Sequence, residues 1–67
     1  MTRRRLILQL RIIQTVLQVE RANAPLPAEL RERAAGLIEQ TAIAIEAEPD
    51  PLLQELLANV RRELARD

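Results

Sequence analysis

The sequence predicts an all-α protein: an up-down-up three-helix unit that assembles into a larger helical bundle. Three observations carry this. Leu, Ala, Arg and Glu supply 40 of the 67 residues, a composition of strong helix formers. Two proline-marked breaks, Asn23-Ala24-Pro25-Leu26-Pro27 and Pro49-Asp50-Pro51, cut the chain into three. Proline lacks the amide donor and clashes with the preceding turn, so neither break lies inside a helix. Between the breaks apolar residues recur at helical spacing, and no segment alternates with the period of a strand. The chain reads as a single domain, residues 1–67.

The first helix is predicted over about 3–22, with Thr2 as its cap and Asn23 as the left-handed residue that closes it. The second is predicted over about 27–48 and the third over about 51–66. Pro27 and Pro51 suit the first helical position, where a missing N–H costs nothing, and Asp50 can cap the third helix. Short connections make consecutive helices antiparallel neighbours.

The faces differ. Helix three has one apolar stripe, Leu53, Leu56, Leu57, Val60 and Leu64. Helix two has a main stripe of Leu30, Ala34, Leu37, Ile38, Thr41, Ala44 and Ile45, and a weaker row of Gly36, Gln40, Ile43 and Ala47. Helix one has two seams. Leu6, Leu10, Ile13 and Leu17 form one, and Leu8, Ile12, Thr15 and Val19 the other, roughly 160° away. Val16 lies between them and Ile7 outside both. A helix apolar on two sides is buried on two sides. Helices two and three present narrow apolar arcs, so part of helix one, with Ile43, is expected to stay uncovered in a monomer. Such a patch marks an interface.

The expected partner is a second copy of the chain, with Leu8, Ile12, Val19 and Ile43 in the interface of a small homo-oligomer. The alternative is a protein-binding module that presents the same surface to a different protein. A third reading leaves helix one enclosed in a compact monomer.

Charge placement agrees with the architecture. The net charge is zero, but the first helix is basic, with Arg3, Arg4, Arg5, Arg11 and Arg21 against Glu20. Three Arg in a first turn oppose the helix dipole. In an up-down-up arrangement they lie near Glu46, Glu48, Asp50 and Glu55, which offset that cost.

The chemistry is restricted. Cys, His, Lys, Ser, Phe, Trp and Tyr are absent, which removes the usual nucleophiles and the usual general base. No enzyme activity and no cofactor is expected. No metal is expected either: there is no His or Cys, and Glu29/Glu32 and Glu46/Glu48/Asp50 read as solvated faces and a capped turn. The Arg3-Arg4-Arg5 run lacks a second basic element and aromatic partners for bases, so nucleic acid is not an expected partner. Nor is a membrane. The longest apolar-rich stretch, Leu6 to Val19, holds Gln9, Arg11, Gln14 and Thr15 and falls short of the roughly 20 residues of a span. No cleavage site follows it, so a cytoplasmic (or soluble recombinant) protein is expected.

A Thr cap, three helices of near-equal length, short proline-bounded loops, no Cys and a dominance of Ala, Glu, Leu and Arg resemble de novo designed helical bundles. Two features depart from that style. Lys is absent, and Pro25-Leu26-Pro27-Ala28-Glu29-Leu30 reads like natural high-GC bacterial protein, which leaves an evolved small bacterial interaction protein as a further possibility. The resemblance implies a structural purpose without evolved catalysis: a fold, a symmetric assembly or a binder.

Overall fold

The computed structural model describes residues 2–66 and contains three helices: α1 (Arg3–Asn23), α2 (Ala28–Ala47) and α3 (Pro51–Ala65). They pack against one another in an up-down-up unit whose Cα atoms span 35 × 17 × 16 Å. The long dimension is set by α1, whose 21 residues rise about 32 Å.

The caps form as the residue types require. The Thr2 hydroxyl accepts from the Arg5 amide at 3.3 Å, and Asp50 Oδ1 accepts from Leu52 at 2.9 Å and Leu53 at 3.3 Å. Each such cap contributes about 1 kcal/mol. Pro51 takes the first helical position of α3. Pro27 does not take that of α2. It is the cap residue itself, at φ −63° and ψ 146°, and its carbonyl accepts the first helical bond, from Arg31, at 3.0 Å.

The helix ends correct two further expectations. Asn23 is not left-handed, and none of the described residues has positive φ. It is the last residue of α1, and its side-chain amide donates to the Val19 carbonyl at 3.2 Å. The chain leaves α1 through extended Ala24, at φ −167° and ψ 165°, because Pro25 follows and excludes the helical region before it. In the same way Pro49 stops α2 at Ala47, with Glu48 already out of the helix.

The core is the seam Leu6, Leu10, Ile13 and Leu17 of α1, closed by Ala34, Ile38, Ala42 and Ile45 of α2 and Leu53, Leu57 and Val60 of α3. Leu26, in the first loop, joins them. Thr41 is enclosed among these apolar residues. Its hydroxyl donates to the Leu37 carbonyl at 2.8 Å and accepts from the Gln9 amide at 3.1 Å, so no polar atom is stranded.

Charged contacts tie the helices at both ends. Arg3 meets Asp50 at 2.6 Å, joining the start of α1 to the cap of α3. At the other end Arg21 Nη1 meets Glu63 Oε1 at 3.0 Å. Its Nη2 donates to the carbonyls of Glu63 and Arg66, the latter at 2.7 Å. Arg31 also donates to the Arg66 carbonyl, at 3.2 Å. Two carbonyls at the end of α3, those of Glu63 and of the cap residue Arg66, are thus satisfied by guanidinium groups from α1 and α2.

Candidate protein-interaction surface

The second seam of α1 has no cover within the chain. Leu8 is 57% exposed, Ile12 53% and Val19 55%, against 0–7% for the four residues of the core seam. Both seams have the same 4, 3, 4 spacing, so the spacing alone does not choose which one faces inward. Polar contacts mark both edges of the inward seam. Gln9 reaches Thr41 on α2, and Arg21 reaches Glu63 on α3. These two side chains flank the Leu6–Leu17 seam, one on either side.

α1 packs most closely along α3 and least closely along α2. The result is a shallow apolar cleft of about 130 Å³, lined by Ile12, Ile13, Val16 and Leu17 from α1 and Leu30, Arg33, Ala34 and Leu37 from α2. Val16 is 41% and Leu37 40% exposed at its mouth. Together with Leu8, Ile12 and Val19 they make one apolar surface that runs along α1 and spills onto α2.

Ile43 stands apart from it. It is the most exposed of the large apolar residues described, at 67%. It lies about 120° further round α2 than Leu37, on the outward side. The structure therefore brings Leu8, Ile12 and Val19 onto one strip and leaves Ile43 beyond it, across Gln40 and Gly36 on the surface of α2. Val16 and Leu37 enlarge the strip. Sequence reasoning left Val16 between the seams and placed Leu37 in the core stripe. Neither position could be corrected without knowing how far apart α1 and α2 sit.

The surroundings of the strip are polar. Arg4, Arg11 and Gln18 border it on one side of α1, and Arg5, Gln9 and Glu20 on the other. Arg5 and Glu20 have no ion-pair partner among the described residues. A larger hollow of about 460 Å³ opens beside Arg3, Glu48 and Asp50. It is partly polar, and Arg3 and Asp50 already satisfy each other there. The Arg3 guanidinium, helped by the Leu53 and Leu52 amides, holds the Asp50 carboxyl below its ordinary pKa despite some desolvation.

Among the described residues there is no cluster of acidic side chains able to hold a metal ion, and no helix is long and apolar enough to cross a membrane. No family model, curated protein or solved structure matches the chain.

Proposed function

We propose that the chain is a structural, non-catalytic helical protein that self-associates into a small homo-oligomer through the outer surface of α1. One observation carries the reading: a continuous apolar strip, Leu8, Ile12, Val16 and Val19 with Leu37, stands open to solvent on the side of α1 opposite a filled core. A contiguous patch of this kind is rare on a soluble monomer and is normally covered by another protein. The surface area points the same way. The chain exposes 4873 Å², against about 4300 Å² for an ordinary folded monomer of its 7.6 kDa mass. Light scattering across a concentration series tests the reading, with refractive-index detection because Trp and Tyr are absent. A multiple of 7.6 kDa supports it. A strict monomer at high concentration overturns it.

The cleft between α1 and α2 supports a second reading, a protein-binding module (a designed binder or a small bacterial interaction protein). An apolar groove between two helices suits an amphipathic helix from another protein. A second chain copurifying in stoichiometric amount would favour it.

A further inference from the structure

We propose that two copies of this chain pack α1 against α1 in antiparallel fashion about a two-fold axis level with Ile13 and Gln14, with Arg5 of each copy set against Glu20 of the other. The proposal rests on the self-association reading above and specifies its geometry. A two-fold interface must be complementary to itself: where residue i meets j, j meets i. The exposed row Leu8, Ile12, Thr15, Val19 meets this condition, because its 4, 3, 4 spacing reads the same from either end. Antiparallel pairing sets Leu8 opposite Val19 and Ile12 opposite Thr15, in both directions at once. The apolar cleft at Ile12 and Val16 then lies level with the two-fold axis, on the α2 side of the row.

Charge decides between the two directions. A parallel pair brings Arg3, Arg4 and Arg5 of both copies to one end, with helix axes only about 8–10 Å apart. That is within about one Debye length at physiological salt. It also aligns the two helix dipoles. The antiparallel pair moves the two Arg5 residues about 25 Å apart along the axis, beyond mutual reach. Arg5 and Glu20 lie on the same side of the row, the side of Gln9. In a two-fold pair each flank meets its own copy. Arg5 therefore comes within about 3 Å, measured along the axis, of the level of the second copy's Glu20. Both are exposed and lack an ion-pair partner within the described chain. On the opposite flank Arg11 comes level with the second copy's Gln18, a neutral amide.

The test uses the absence of native Cys. Leu8→Cys and Val19→Cys chains are made separately, mixed and mildly oxidised, after the native mass of the unsubstituted chain is measured. In the antiparallel pair the mixture forms a disulfide between the two variants. Neither variant alone does so, because its two substituted sites lie about 16 Å apart and a disulfide spans less than about 7 Å between Cα atoms. Independently, Arg5→Glu and Glu20→Arg each shift the dimer dissociation constant upward several-fold, and the double variant R5E/E20R returns it toward the starting value. Disulfides within each single variant, at a dimeric native mass, overturn the antiparallel geometry and leave self-association standing. A mass of three chains or more overturns the two-fold pairing. A monomeric unsubstituted chain overturns the self-association reading and the geometry with it.

Discussion

Asp50 accepts Arg3 on one carboxylate oxygen and the Leu52 and Leu53 amides on the other. Those donors favour the charged form, so its pKa lies below the ordinary 3.8. A depressed carboxyl contributes stability that is complete above its unfolded pKa and is lost as pH falls through the lower, folded value. Acid therefore releases the start of α1 and the cap of α3 together. Arg3→Gln should move the Asp50 titration toward 3.8, read by carboxyl carbon NMR, and should reduce the drop in melting temperature between neutral pH and about pH 3. Glu63 is a buried acid. It is 8% exposed and held by Arg21, with Arg66 at 3.7 Å as a weaker second partner. Removing Arg21 strands a buried charge, and Arg21→Ala should cost about 2–3 kcal/mol in urea unfolding. The double variant R21L/E63L should cost clearly less, because it leaves no unpaired ion behind. The Arg3 contact was legible in the sequence, since the basic start of α1 and the acidic turn face each other in any up-down-up bundle. The Arg21–Glu63 clamp was not. Position 63 borders the Leu56–Val60–Leu64 stripe, and only the angle between α1 and α3 decides that it turns inward.

At the scale of elements, the three helices and both breaks were readable because proline and capping chemistry act locally. Four boundaries moved, each by one residue: the ends of α1 and α3 and both ends of α2; at the end of α2, Pro49 dictates the conformation of the residue before it. The identity of the inward seam of α1 needed tertiary information. α2 has Gly36 in its interior and no side-chain cap at its start. Gly36 is helical and a Cβ built there meets nothing within 4 Å. Gly36→Ala should therefore stabilise the fold by about 1 kcal/mol, seen as a higher melting temperature by circular dichroism. Thr41 sits in the same helix as a polar member of an apolar stripe. Its two hydrogen bonds turn that apparent misfit into a link to α1.

For the molecule as a whole, the question is where a two-sided apolar helix finds its second cover. Ile12 stands at the centre of the open strip and also lines the cleft. Ile12→Glu should lower the native mass to that of a single chain by light scattering while leaving most of the helical circular dichroism in place. Unfolding of this variant at every concentration would instead mean that folding and association are one event, as in obligate dimers. Leu8, Ile12 and Val19 were legible as surplus apolar surface because the core needs only one seam. The separation of Ile43 from them was not, since the sequence does not show which side of α2 faces α1.

The close packing of α1 on α3 also orders events in time. Synthesis proceeds from the N-terminus, so α1 is made before α3, its main partner. α3 is complete roughly forty residues after α1, a delay of about 2–8 s at ordinary elongation rates. Until α3 docks, α1 carries two uncovered greasy flanks, and the fold itself closes only one of them. Any fragment that stops in the second loop lives permanently in that unfinished state.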